Sequence, residues 1–139
     1  MVNRTVRSLA LALLLAMVAG CAHTASVIDR SETRTIFRKL ALEQSSNFKV
    51  LLGGAVREVP IKDVRIIKID PAESIVFERE LYFSAELVLR DGSVLSQGGA
   101  AETDGKCYLC INNTLVGKRR GETFRIPLEK VVQIKFEEE

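Results

Sequence analysis

The sequence predicts a mainly β fold, a small antiparallel barrel or sandwich built from two strand–turn–strand repeats. Three observations carry that expectation. VPIKDVRIIKI (59–69) and IPLEKVVQIKF (126–136) align without gaps, so Pro60 meets Pro127, Val64 meets Val131, Ile67 meets Ile134 and Lys68 meets Lys135. Each segment ends in alternating apolar and polar residues, the period of a half-buried strand. YFSAELVL (82–89) is an aromatic and aliphatic run of strand length, and Asp91-Gly92 behind it is a strong hairpin signal.

The first 20 residues read differently. Met1 to Ser8 holds Arg4 and Arg7 and no acid, LALALLLAMVA (9–19) is uninterrupted and apolar, and small residues lead to Cys21. This is the order of a secretory signal peptide, with a signal helix cleaved after residue 20. The apolar run is too short to span a bilayer, which takes roughly 18 or more residues. VAGC (18–21) resembles the lipobox of bacterial lipoproteins. The resemblance covers about the first 22 residues. It implies a diacylglycerol thioether on Cys21, cleavage just before it and acylation of the new amino terminus. Two or more alkyl chains anchor a protein stably where one holds it marginally. Ala22, rather than Asp, after the cysteine implies the outer membrane, facing the periplasm.

Residues 21–31 then read as the lipidated cysteine and a short polar tether, and 32–139 as one β-rich globular domain. Ser31 and Glu32 suit a helix start. Ile36, Phe37, Leu40 and Ala41 recur at helical spacing, so 32–44 is expected to be one short helix, with an edge strand as the alternative.

The repeat organises the remainder, in units of about 48–69 and 87–136. Upstream of the aligned segments, VLLGGAV (50–56) echoes VLRDGSV (88–94), with Gly54 on Gly92. That alignment puts an insertion of 29 residues into the second copy. In each unit a strand meets a glycine turn, a second strand returns to a proline that cannot donate to a ladder, and a final strand follows a short polar step. The pattern is similar to small open barrels of the Sm-like type, a fold that hosts unrelated functions. Within the insertion, further strands are expected at 106–111 and 122–127.

Charge and chemistry narrow the function. Setting Arg4 and Arg7 aside leaves 18 basic against 18 acidic residues, which argues against a bulk nucleic-acid binder and against a polybasic patch as the main membrane anchor. His23, the one histidine, is two residues from Cys21, so no nucleophile–histidine pair is expected in the domain. Gly53-Gly54 and Gly98-Gly99 lack the context of a phosphate loop. Glu78, Glu80 and Glu86 read as solvated strand faces. Cys107 and Cys110 have C-x-x-C spacing, leaving open a structural disulfide bent by a turn, two separately buried thiols, or redox or metal work. Lys118-Arg119-Arg120, with Gly121, is a loop cluster suited to phosphate, lipid headgroups or an acidic partner, with a solvated loop the favoured reading. The expectation is a non-enzymatic, membrane-anchored envelope lipoprotein. It carries no cofactor beyond the lipid and no metal, and its small β-domain binds or assembles with an envelope partner. The alternative is a periplasmic thiol-redox or metal-handling protein using Cys107 and Cys110.

Overall fold

The computed structural model describes residues 23–95 and 107–137, and Cys21 with its signal segment lies outside them. Ten strands run through these residues: β1 His23–Asp29, β2 Arg34–Leu42, β3 Asn47–Leu52, β4 Ala55–Pro60, β5 Val64–Phe77, β6 Glu80–Leu89, β7 Cys107–Cys110, β8 Thr114–Arg119, β9 Glu122–Pro127 and β10 Val131–Phe136. All neighbouring strands pair antiparallel in one curled sheet of order β4-β3-β7-β6-β5-β10-β1-β2-β8-β9. The mainly β expectation holds.

The repeat is structural, and it is longer than the sequence suggested. Pro60 and Pro127 both have φ −59° and ψ 138°, and each opens a 3₁₀ turn, Ile61–Asp63 or Leu128–Lys130. Ile61 and Leu128 are buried in these turns. The equivalence continues upstream at the same spacing of 67 residues: β3 onto β8, β4 onto β9 and Gly54 onto Gly121. Both hairpin turns have positive φ at their two central residues, Gly53 and Gly54 at 63° and 77°, Arg120 and Gly121 at 52° and 80°. That geometry matches the twist of the flanking strands. The 29-residue insertion is therefore corrected. The second unit is ungapped, and VLRDGSV lies at the end of β6 rather than in the repeated hairpin.

The sheet order is a palindrome of these equivalents. One unit is β4-β3-β7-β6-β5 and the other is β9-β8-β2-β1-β10, so the N-terminal hairpin β1–β2 takes the places that β6–β7 hold in the first unit. Between the units, Ile67 pairs with Ile134, Lys68 with Gln133 and Ile66 with Lys135. Ile67 and Ile134 are repeat equivalents, and exchanging the units turns the Lys68–Gln133 pair into the Lys135–Ile66 pair. An approximate two-fold axis thus runs through the Ile67–Ile134 contact. Both isoleucines are fully buried in one apolar core that includes Val27, Phe37, Leu40, Phe48, Leu87 and Leu128.

Two expectations fail here for local reasons. The tether is a strand: Ala25 and Val27 face the core while Thr24, Ser26 and Ile28 alternate outward, and the small inward residues gave little hydrophobic signal. The helix at 32–44 is the strand β2. Its partners step by two residues on β8 and β1 where β2 steps by three, from Arg38 to Ala41 and from Phe37 to Leu40. This is a bulge, with Lys39 at φ 53°. The extra residue stretches the buried spacing Phe37–Leu40 to three, which imitates a helical period. Ile36, one of the residues at helical spacing, is 57% exposed.

Candidate functional site

The bulge in β2 also builds a surface. An uninterrupted strand would send Arg38 and Lys39 to opposite faces, and here both are exposed beside the buried Phe37 and Leu40. β8 brings Lys118 directly opposite Arg38, and Arg119 and Arg120 follow at the hairpin tip. The expected loop at 118–120 is thus the end of a strand and a two-residue turn. Arg34–Leu42 and 114–120 contain no acidic residue. Glu122 faces Arg119 across the turn, and Arg125 is ion-paired with Glu43 farther along the hairpin. A recess of about 460 Å³ lies among Ile36, Arg38, Lys39, Lys118, Arg119 and Arg120. A second, of about 710 Å³, shares Ile36 and is bounded by Arg34, Arg65 and Lys135, with Glu137 as its one acid. The result is a cationic sheet face with an exposed isoleucine inside it. Only the 118–120 part of it was evident from the sequence.

A second polar constellation was not. Lys49 on β3, Glu80 at the start of β6 and Cys110 at the end of β7 meet on the outer face of the first unit. The Lys49 ammonium lies 3.1 and 3.3 Å from the two Glu80 oxygens, and the Cys110 thiol donates to Glu80 Oε2 at 3.0 Å. They border a recess of about 330 Å³ that also meets Asn47, Glu58 and Asn112. The hydrogen bond from Cys110, and then the one from Lys49, hold the Glu80 carboxyl below its ordinary range. The bond to Glu80 raises the Lys49 ammonium in turn. Beside them Tyr82 is buried with Leu51, edge-on to Phe77, and burial raises its phenol. In the second unit Ala41 pairs with Val116, the repeat equivalent of Lys49, so the fold itself does not require this polar group.

The C-x-x-C pair is divided by the sheet. Cys107 points into the main core and Cys110 into the small outer cluster with Leu51 and Tyr82. Both are free thiols, so the disulfide alternative is not what the structure holds. β7 is a straight strand, and positions three apart face opposite sides. Burial pushes the Cys107 thiol up to about 12. Burial, and then the bond to Glu80, push Cys110 up to about 11. Both stay protonated at neutral pH and are poor nucleophiles there. His23 belongs to the domain after all, packed edge-on to Phe136 at 6.0 Å. Among the described residues no three His, Cys, Asp or Glu side chains converge as a metal set.

No protein-family model matches the chain, and no curated protein matches it. The chain is similar in fold to a solved structure, protein VPA1032 from Vibrio parahaemolyticus, with a TM-score of 0.56 and 7% identity. The match takes in 99% of this chain and 57% of that one, so this chain spans little more than half the length of its structural neighbour. At that identity the likeness is one of fold alone.

Proposed function

We propose that the protein is a lipid-anchored lipoprotein of the cell envelope, held at the periplasmic side of the outer membrane, whose paired β-units form a non-catalytic binding or assembly module. The observation that carries this reading is VAGC at the end of a basic, apolar and small-residue leader. The domain's chemistry agrees with it. Its two cysteines are separated by the sheet and kept protonated, and its Lys49–Glu80 pair is mutually neutralised rather than poised for proton transfer. Its exposed assets are cationic surface and apolar side chains, which recognise rather than transform.

The test is lipid labelling of the full chain in a bacterial host, beside the Cys21→Ser variant. The native chain is expected to incorporate labelled palmitate and to be cut before Cys21 by mass spectrometry, and the variant to do neither. An unlabelled native chain, or a variant processed and membrane-bound as before, would sink the reading. Density-gradient separation of the two membranes tests the outer-membrane assignment, and crosslinking in intact cells tests for an envelope partner. Thiol titration decides against or for the redox alternative. The folded domain is expected to resist a thiol reagent at pH 8 and to release two thiols on unfolding.

A further inference from the structure

We infer that the outer face of β2 together with the β8–β9 hairpin is a membrane-contact surface that binds the headgroups of anionic phospholipids. The inference deepens the lipid-anchor reading, on which its choice of occupant rests. Its first support is charge placed where the fold gains nothing from it. Arg38 and Lys118 stand directly opposite one another, an arrangement that destabilises a strand pair. Lys39 adds a third cation by adopting a left-handed conformation that is unfavourable for a side chain of its kind. In the first unit the equivalents of Lys118, Arg119 and Arg120 are Leu51, Leu52 and Gly53, so the frame is made without them.

The second support is Ile36, more than half exposed and common to both recesses, whose charged lining is basic except for Glu137. An apolar side chain ringed by Arg and Lys suits the level of a bilayer where headgroups overlie acyl chains. The third is position. β1 begins at His23, which lies opposite Leu40, the neighbour of Lys39. Cys21 is two residues earlier, at most about 7 Å of extended chain. β8 is two strands from β1, about 10 Å across the sheet. With no tether between lipid and strand, the cations lie within about one to two screening lengths of the bilayer at physiological salt.

The test uses the mature chain without its lipidated cysteine, Ala22 to Glu139, which keeps all ten strands and carries no lipid. Its binding is measured by co-sedimentation with phosphatidylcholine vesicles, with and without phosphatidylglycerol. Binding is expected only with phosphatidylglycerol and is expected to be lost at high salt. Lys118→Gln, Arg119→Gln and Arg120→Asn together are expected to weaken it roughly 100-fold, at about one factor of five per cation. Asn tolerates the positive φ at 120, and a melting temperature that does not fall shows that the fold is kept. Ile36→Ser is expected to weaken binding roughly tenfold. Equal binding to both vesicle types, no binding, or full binding by the triple variant overturns the proposal. So does capture of the mature chain by poly-glutamate with no vesicle binding, which assigns the face to an acidic protein partner. The anchor is tested separately by palmitate labelling. An unlabelled Cys21 with vesicle binding intact rejects the anchor and leaves the face standing, and the reverse result rejects only the face.

Discussion

The two five-stranded units share a hairpin, a proline, a 3₁₀ turn and a central strand, and they differ in what they mount on that frame. The first unit takes its strands from one continuous stretch of the chain, β3 to β7. It closes its hairpin with Leu51-Leu52-Gly53-Gly54 and carries a half-exposed polar group of Lys49, Glu80 and Cys110 on its outer face. The second borrows its β1–β2 hairpin from the other end of the chain, closes with Lys118-Arg119-Arg120-Gly121 and has Ala41 and Val116 where the polar group would be. The lesson is a division of labour. Positions facing the shared core stay buried, though Phe37 and Gly117 stand where the first unit has Cys107 and Val50, while outward positions diverge, and the run of cations at the hairpin belongs to one unit.

The sharpest way to break the comparison is at its axis. Ile67→Ala and Ile134→Ala should each cost about 2–5 kcal/mol, as large-to-small core changes do. Their costs should be alike, because the two residues occupy equivalent environments. Urea unfolding measures both, and a several-fold difference between them would show that the two-fold relation does not extend to energetics.

Next in size is Gly117→Val, which gives the second unit the residue that its equivalent, Val50, supplies in the first. A Cβ at 117 would lie 2.8 Å from Phe37 Cβ and 3.0 Å from Leu40 Cδ1. Phe37 stands where the first unit has Cys107: each pairs with the alanine of the neighbouring strand, Ala25 or Ala85. Overpacking should cost about 1–3 kcal/mol. Phe37→Ala in the same chain should cost less than it does in the native background. If the two costs simply add, the large-for-small exchange between the units is not a packing compensation.

The polar group is worth less. Glu80→Gln should cost about 0.2–1 kcal/mol at neutral pH, since the pair is substantially solvated. The sign follows from the shift. Glu80 is depressed in the folded state, so its contribution is present above the unfolded value of about 4.3 and is lost as pH falls through the folded value. Lys49 is raised, so its contribution is present below about 10.4 and is lost as pH rises through the folded value. The gap between native and Glu80→Gln midpoints should therefore close in acid, and a gap independent of pH would remove the ion pair from the explanation. The smallest effect is a gain: Lys118→Gln relieves the opposed charges and should add a few tenths of a kcal/mol. A loss of stability there would make Lys118 a structural residue.

Much of the frame was legible in the sequence because proline and core isoleucine have few substitutes at a strand end and on a buried face. Pro60, Pro127, Ile67 and Ile134 therefore kept their spacing. The hairpins ahead of them were not legible. LLGG and KRRG share one glycine, and Gly92 offered a closer match in residue type at a different place in the fold. β2 was hidden by its bulge, which gave Phe37 and Leu40 the spacing of a helix. β1 was hidden by its small inward residues. Of the surfaces, Lys118 to Arg120 were visible as a run, but Arg34, Arg38 and Lys39 join them only through the β2–β8 ladder. Lys49, Glu80 and Cys110 come from three strands, and no local pattern could have linked them.

β1 is an interior strand, laddered to β10 on one side and to β2 on the other, with Ala25 opposite both Phe136 and Phe37. The anchor proposed at Cys21 would pull on the domain through the start of this strand. Tension from the membrane then loads both ladders in shear, sharing force among their hydrogen bonds at once instead of peeling them in turn as it would at an edge such as β4 or β9. The borrowed hairpin that makes the chain order indirect would then also be a mechanical fitting, tying the proposed anchor point to β10.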